Sequence, residues 1–290
     1  MVNLQNYITD SKVFKTFAVD DLLVVEYKCL VNEHEADIWT HDNYFAYVLG
    51  GEKKWKTPVS EFKAKDGDIL FVRKGANTVY QYFTEPFIVI FIFISDSLFR
   101  EILSKYPALV NRVDNDPGKD YSLVPLRSNQ ILTAWFESIK FFFSQPSAPR
   151  KEILKIKIEE LVLQILIQPG NLLMNNFFNY LVKDAKIEMQ RIMEANYASL
   201  LSINDYARLC GRSLTSFRRD FHQNFGTTPG KWLLAKRLEL SRFLLETTDE
   251  RISDIAYNSG FTNRSHFTKA VKQANGISPN EFRHCVDAVG

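Results

Sequence analysis

Two adjacent arginines, Arg218 and Arg219, are the residues whose type and setting most directly indicate a chemistry. They lie in a segment, 213–223, in which Phe217 and Phe221 mark the buried face of a predicted helix and leave the arginines facing outward. A guanidinium donates two parallel hydrogen bonds to O6 and N7 of guanine in the major groove of DNA. The segment therefore predicts a helix that reads bases. The alternative is a solvated helix face with two surface arginines.

Other polar side chains accompany these arginines. Ser213 supplies a capping hydroxyl at the start of the predicted helix. The amino termini of helices around Ser202 and Ser213 are natural positions for a DNA phosphate, and Ser202 and Asp205 have the spacing of a capping box. The residues that we assign to DNA contact in this part of the chain are Ser202, Ser213, Thr215, Arg218, Arg219 and His222.

The pattern around these residues occurs twice. The first copy consists of Ile203, Asp205, Ala207, Gly211, Phe217, Gly226, Pro229 and Trp232, and the second of Ile252, Asp254, Ala256, Gly260, Phe267, Gly276, Pro279 and Phe282. The small alanine lets two helices approach, and the glycine four residues later takes the positive-φ position of the turn between them. Two matches in register predict a pair of helix-turn-helix units, each offering its second helix to the major groove.

The matching helix of the second copy covers about 263–273, with Phe267 and Val271 inward. The residues that we assign to DNA contact here are Arg264, Ser265, His266, Thr268 and Lys269. Because arginine pairs discriminate bases better than short hydroxyls, we expect the first copy to set the sequence preference. Arg251 stands where the first copy has Ser202, which predicts a different cap for this copy, Thr248 or Asp249.

The long apolar segment 229–247 must position the two copies. A single rigid helix there would be the core of both, so that their reading helices contact successive major-groove segments roughly 34 Å apart.

These residues resemble the AraC/XylS family of bacterial transcription regulators. The stretch SINDYARLCGRSLTSFRRDFHQNFGTTPGKWLLAKRLELSRFLL is similar to the family's first DNA-binding subdomain and its connecting helix, and ISDIAYNSGFTNRSHFTKAVKQANGISPNEFR to its second. DGDILFVRKG and LKIKIEELVLQILIQPGNLLMNNF resemble the amino-terminal domain of the type III secretion gene activators within that family. The resemblance implies base contacts by Thr215, Arg218 and Arg219. It also implies double-stranded promoter DNA and RNA polymerase as partners, and activation of transcription.

Length and composition agree with two soluble domains. The chain has 290 residues, 46% hydrophobic and 24% charged, with a net charge of +2. Residues from 184 onward hold 15 Lys and Arg against 12 Asp and Glu, a modest basic excess. The longest apolar run, FIVIFIFI, is too short to cross a membrane, and the start MVNLQNYITDSK is not a signal peptide. Three cysteines without metal spacing predict reduced thiols of a cytoplasmic protein.

The amino-terminal half changes from strand to helix patterns after Ser95. Short strands are predicted within 21–94, at LLVVEYKC, YFAYVL, VSEFKA, DILFVRKG, TVYQYF and FIVIFIFI. This series predicts an antiparallel barrel or sandwich, and the family resemblance makes it a cupin-like antiparallel β-barrel. Helices are predicted at 96–106, 128–144, 150–167 and 171–183. The fold class is thus α+β in two domains, a cupin-like domain at 1–183 and an all-α domain of two helix-turn-helix subdomains at 184–290.

The helix at 150–167 is apolar over more than one face. It is either buried in its own domain or shared with a second subunit, as the resemblance implies. On the second interpretation the interface of a homodimer contains Leu154, Ile158, Leu161 and Ile165.

The barrel interior is the candidate site for an effector. The resemblance leaves two alternatives for this regulatory domain, a small molecule bound inside or a regulatory protein bound outside. Ligand contacts are assigned to Tyr47, Trp55, Arg73 and Tyr80, and the alternative is that these side chains belong to the strand surface. His34 and His41 lack H-x-H spacing and no third histidine precedes His222, so we expect neither a metal nor a cofactor.

These observations predict a DNA-binding transcription regulator and not an enzyme. Rival interpretations are a small-molecule enzyme or metal cupin with an appended helix-turn-helix module, and a regulator whose amino-terminal half binds only a protein. The absence of a histidine cluster and of a nucleophile–base pair counts against the enzyme.

Overall fold

The computed structural model describes residues 1–29, 34–57, 60–81, 86–110, 122–183 and 185–287. The chain divides into two compact units, Met1–Ala185 and Lys186–Gly290. We call them the amino-terminal unit and the carboxy-terminal unit.

The amino-terminal unit begins with strands and ends with helices. Its strands are β1 (Val2–Asn3), β2 (Lys15–Val19), β3 (Leu22–Lys28), β4 (Glu35–Thr40), β5 (Asn43–Gly50), β6 (Glu52–Lys56), β7 (Glu61–Lys65), β8 (Ile69–Val72), β9 (Gly75–Gln81), β10 (Ile88–Ile94) and β11 (Leu123–Pro125). Its helices are α1 (Leu4–Ser11), α2 (Asp96–Ser104), α3 (Pro107–Val110), α4 (Gln130–Ser144), α5 (Lys151–Ile167) and α6 (Leu172–Lys183).

The strands form two sheets. One has the order β1-β4-β9-β6-β7 and the other β11-β8-β5-β10-β3-β2, with every pair antiparallel except β1 and β4. Side chains from both sheets pack together between them, among them Trp55 and Val79 from the first and Tyr44 and Phe91 from the second. The antiparallel barrel or sandwich that the strand series predicted is confirmed as two packed, mainly antiparallel sheets, and among the described residues these sheets do not join into a closed barrel.

The central strands β5, β8 and β10 of the six-stranded sheet are buried on both faces. On β10, Val89, Phe91 and Phe93 face the other sheet. Ile90, Ile92 and Ile94 pack instead against helices α2, α4, α5 and α6. This double burial explains why β10 reads as an unbroken apolar run without the alternation of a half-exposed strand.

Helix α5 lies against the second face of that sheet. Leu154, Ile158, Leu161 and Ile165 are all buried in the core of their own unit, 0–1% exposed. Their assignment to a homodimer interface is corrected, because these side chains already fill the space between α5 and its neighbours. The side of α5 that faces solvent carries Ile153 and Ile156 instead.

The carboxy-terminal unit is entirely helical in the part of the chain that the structure describes. Its helices are α7 (Ala185–Asn196), α8 (Ile203–Leu209), α9 (Leu214–Phe225), α10 (Pro229–Thr247), α11 (Ile252–Asn258), α12 (Arg264–Asn275) and α13 (Pro279–Asp287). Helices α8 and α9 form the first helix-turn-helix pair, and α11 and α12 form the second. The long helix α10 connects them, and its Leu245 packs in the core of the second pair with Ile255 and Phe267.

The turn of the second pair meets the segment before the first. The Arg237 side chain, on α10, donates from Nε to the Tyr197 carbonyl at 2.7 Å and from a terminal nitrogen to the Ser199 carbonyl at 2.9 Å. Gly260 lies against the same segment, so that a Cβ added there would be 2.7 Å from the carbonyl oxygen of Ala198 and 2.9 Å from Nε of Arg237. We call this arrangement of α10, the segment 197–199 and Gly260 the junction.

The junction predicts that the two turn glycines differ in their tolerance of a side chain. Gly211 and Gly260 both have positive φ, so alanine costs about 1–2 kcal/mol at either from backbone strain. Only Gly260 also lacks space, and we expect Gly260→Ala to lower the free energy of unfolding by about 3–5 kcal/mol. Chemical denaturation of the full chain, followed by circular dichroism, measures both variants. Equal losses would show that the close approach at Gly260 has no energetic weight.

Candidate nucleic-acid interface

Helix α9 is anchored by aromatic packing on one side. Phe217 and Phe221 are fully buried, with ring centroids 5.7 Å apart, and Trp232 of α10 lies 6.2 Å from Phe221. The Ser213 hydroxyl accepts a hydrogen bond from the Ser216 amide and caps the helix. The buried side and the cap together fix which residues face solvent.

The opposite side of α9 carries the residues assigned from sequence. Thr215, Arg218, Arg219 and His222 are all exposed. Their spacing of three, four and seven residues places them on one face of the helix, which we call the first reading face. Ser202 and Ser213 are also exposed, at the amino ends of α8 and α9.

The two arginines of the first reading face differ in their surroundings. Arg219 Nε donates to the Asp220 carboxylate at 3.0 Å, and Arg212 of the preceding turn donates to the same carboxylate. Asp220 is only 17% exposed, whereas Arg219 is 72% exposed. The Arg218 side chain has no hydrogen-bond or ionic partner among the described residues. The Arg218 guanidinium is therefore unpaired, whereas a ligand of Arg219 would have to compete with the Asp220 carboxylate.

Helix α12 is anchored by buried side chains and capped in the same way as α9. Phe267, Ala270 and Val271 are buried, and the Asn263 side chain caps the helix by accepting from the His266 amide at 2.8 Å. The assigned residues that are exposed are Arg264, Ser265, His266 and Lys269, and Thr268 is half-buried. The His266 ring packs on Phe261, with centroids 5.5 Å apart.

One residue of this second face was missed. Ser265, Thr268 and Lys269 have the spacing of Thr215, Arg218 and Arg219, and the next position of the series is Lys272, which is exposed. It corresponds to His222 of the first copy. The helical spacing alone could have identified Lys272. We call Ser265, Thr268, Lys269 and Lys272 the second reading face.

The helices that precede the reading helices begin differently. Ser202 and Asp205 form a reciprocal capping box at α8, in which the Ser202 amide donates to the Asp205 carboxylate at 3.0 Å. Helix α11 has Arg251 as its N-cap residue, and this residue makes no side-chain cap hydrogen bond. The expectation that Thr248 or Asp249 caps α11 is wrong: the Thr248 hydroxyl donates to the Leu244 carbonyl and belongs to the end of α10.

A cavity of about 230 Å³ lies in the amino-terminal unit. Its wall is mainly apolar and includes Leu4, Ile38, Trp55, Val79 and Phe91, with Lys53 and Gln81 among its polar residues. Of the four side chains assigned to ligand contact, Trp55 lines this cavity.

The other three assigned residues lie elsewhere. Tyr47 stacks on Phe136 under the helices, where burial and the neighbouring Glu137 raise the pKa of its hydroxyl to about 12. Arg73 lies over the Tyr180 ring at 5.1 Å, and Tyr80 under Lys54 at 4.8 Å. Strand pairing explains the position of Tyr80. Trp55 on β6 is opposite Val79 on β9, so the next residue of β9, Tyr80, points to the other side of the sheet.

Metal chemistry finds no support in the geometry of this unit. In the described ranges no group of three or more His, Cys, Asp or Glu side chains could hold a metal ion. Nor is any helix in those ranges long and apolar enough to span a bilayer.

Comparison with known families identifies both parts of the chain. The family model of the ExsA N-terminal regulatory domain matches residues 43–177, and that of a helix-turn-helix domain matches residues 206–284. The second range contains both reading faces.

Individual relatives match over most of their length. The virulence regulon transcriptional activator VirF of Yersinia enterocolitica is 24% identical over 81% of this chain and 87% of its own. The HTH-type transcriptional regulator ExsA of Pseudomonas aeruginosa is 25% identical over 83% of this chain and 85% of its own. Among solved structures, ToxT from Vibrio cholerae aligns over 91% of this chain and 98% of its own at 15% identity, with a TM-score of 0.42.

The uncapped start of α11 predicts a stabilising substitution. Arg251→Ser places a hydroxyl three residues before Asp254, as Ser202 stands before Asp205, and should raise the free energy of unfolding by about 1 kcal/mol. Ser202→Ala is the matched control and should lower it by a similar amount. Denaturation of the full chain measures both. A loss of stability in Arg251→Ser would show that the arginine side chain itself supports this helix.

Proposed function

Because this chain is a DNA-binding transcription regulator of the AraC/XylS family, we propose that α9 and α12 read two successive major-groove segments of one promoter site. The observation that carries this proposal is the equivalence of the two reading faces. Each is the exposed side of the second helix of a helix-turn-helix pair, and both pairs are held by α10 within a single compact unit.

The side chains of the two faces suit different contacts. Arg218 and Arg219 offer guanidinium groups that pair with guanine in the plane of the base. Lys269 and Lys272 offer point charges on flexible stems, which suit phosphate oxygens. The first reading face therefore supplies most of the sequence preference, and the second most of the sequence-independent affinity. The exposed Ser202 and Ser213 at helix starts add phosphate contacts of their own.

Activation of transcription through contact with RNA polymerase is the proposed outcome of binding. The support is the similarity over more than four-fifths of the chain to a relative that is named a transcriptional activator. The protein would act in the cytoplasm.

The amino-terminal unit is proposed to be regulatory, by its match to a regulatory domain over residues 43–177. The apolar cavity favours a small-molecule effector, although a protein effector bound outside is the alternative. A homodimer is also proposed, through the solvent side of α5, where Ile153 and Ile156 are exposed by 45% and 63%.

The base-reading role of α9 predicts unequal effects of its two arginines. Arg218→Ala should weaken binding to the specific site by about 1–3 kcal/mol and relax the preference at one base pair. Arg219→Ala, the matched control, should cost less, because Asp220 already holds that guanidinium. Titration of specific and random DNA measures both variants. Equal weakening on the two DNAs would identify Arg218 as a phosphate contact.

The second reading face predicts a salt effect in place of a sequence effect. Lys272→Ala should weaken binding to every sequence alike and reduce the slope of log affinity against log salt by about 0.9.

A base-by-base substitution scan of a bound site should show large losses of affinity at the bases under α9 and small losses at the bases one helical turn away. Equal or reversed losses would contradict the division of roles.

The dimer proposal is tested at the solvent side of α5. Ile153→Asp combined with Ile156→Asp should yield a folded monomer by sedimentation, since neither side chain is buried. Leu161→Asp is the contrasting control and should unfold the amino-terminal unit, because it buries an unpaired charge. A double variant that remains dimeric would place the interface elsewhere.

A further inference from the structure

Three polar side chains converge on the sulfur of Cys29. The Lys53 ammonium Nζ donates to Sγ at 3.3 Å, and the Tyr27 hydroxyl donates to it at 3.7 Å. The thiol in turn donates to Oε1 of Gln81 at 2.8 Å. Cys29 directly follows β3, whereas Lys53 lies on β6 and Gln81 ends β9. The sulfur therefore has contacts with both sheets.

The cavity gives small molecules a way to this sulfur. Tyr27, Lys53 and Gln81, the three partners of the thiol, all line it. Cys29 itself is half-buried and is hydrogen-bonded to all three of them. A small polar oxidant such as hydrogen peroxide is far smaller than the 230 Å³ of the cavity.

Lys53 is an unusual lysine in this environment. It is 7% exposed and has no carboxylate partner among the described residues. Its Nζ contacts the Cys29 sulfur and lies over the Phe87 ring, 4.9 Å from the ring centroid. Burial lowers the pKa of its ammonium group, which increases the share of neutral amine. A neutral amine beside a thiol is a nucleophile at the place where an oxidised sulfur would form.

We propose that Cys29 and Lys53 form an oxidant-dependent sulfur–nitrogen cross-link. In the first step hydrogen peroxide transfers one oxygen to the thiol, so that the S–H and O–O bonds break and sulfenic acid and water form. In the second step the Lys53 amine attacks the sulfur, the S–O bond breaks, and hydroxide takes a proton from nitrogen and leaves as water. Overall the thiol is oxidised by two electrons, the peroxide is reduced, and the pair loses two hydrogens.

The link would connect the two sheets. Cys29 follows β3 of the six-stranded sheet and Lys53 lies on β6 of the five-stranded sheet, and side chains of both sheets share one apolar cluster beside the cavity. A covalent connection between Cys29 and Lys53 narrows the cavity at its polar end and holds the sheets together. It thereby couples the oxidation state of the cell to the shape of the cavity.

The test is peptide mapping of the full chain after treatment with hydrogen peroxide. We expect a linked species joining the peptides of Cys29 and Lys53, with a mass lower than their sum by about 2 Da for the two hydrogens lost. A thiol reductant should return both peptides. Lys54→Arg, which changes the neighbouring lysine on the other side of β6, should leave the link intact. So should Cys210→Ser, which removes one of the two thiols of the carboxy-terminal unit.

Lys53→Arg should abolish the link and let Cys29 sulfenic acid accumulate, trapped by dimedone in at least tenfold greater yield than in the unchanged chain. Capture of Cys29 by dimedone to the same extent in both proteins would overturn the proposal. So would oxidation of Cys29 to sulfinic acid with Lys53 still open to acetylation. Because the mapping of the unchanged chain decides the question by itself, a folding defect in the variant would not remove the test.

Discussion

The close approach of Gly260 to the Ala198 carbonyl is the constraint on which the carboxy-terminal unit depends. Two helix-turn-helix pairs can address one stretch of DNA only if their separation and orientation are constant. Arg237 provides this by holding the Tyr197 and Ser199 carbonyls from the middle of α10. The turn of the second pair then lies so near the same segment that only glycine leaves room. Hydrogen bonds to backbone carbonyls suit this purpose, because their geometry is independent of neighbouring side chains.

Within that frame, electrostatics makes the two faces unequal. The Asp220 carboxylate binds Arg212 and Arg219, so the first reading face has fewer free charges than its sequence suggests. The pairing also restricts the Arg219 side chain and reduces the entropy lost when it meets DNA. Among the described residues of the second face there is no such carboxylate pairing, and Lys269 and Lys272 are exposed to solvent. Specific readout needs directed groups, whereas phosphate attraction does not.

In the amino-terminal unit the corresponding constraint is the double burial at the centre of the six-stranded sheet. Its central strands must be apolar on both faces, and the five-stranded sheet supplies polar groups near the cavity. Lys53 and Gln81 come from the five-stranded sheet. The desolvation of Lys53 follows from the same packing, since Trp55 and Phe87 are buried beside each other in the same apolar cluster.

Periodic and turn-forming patterns were enough to predict much of this protein from its residues alone. They predicted α4, α5, α6, α9, α12 and most of the central strands, because a buried face makes apolar residues recur with a period of 3.6 in a helix or 2 in a strand. They failed for β6, whose EKKWK reads as polar although Lys53 and Trp55 share its inward side, and they left barrel and sandwich as alternatives. Tertiary structure alone decided that the inner residues of α5 are core, that Asp220 holds Arg219, and that Lys53 meets Cys29. A sequence pattern shows which side of an element is buried, but the partner on that side comes from strand pairing and helix packing between residues far apart in the chain.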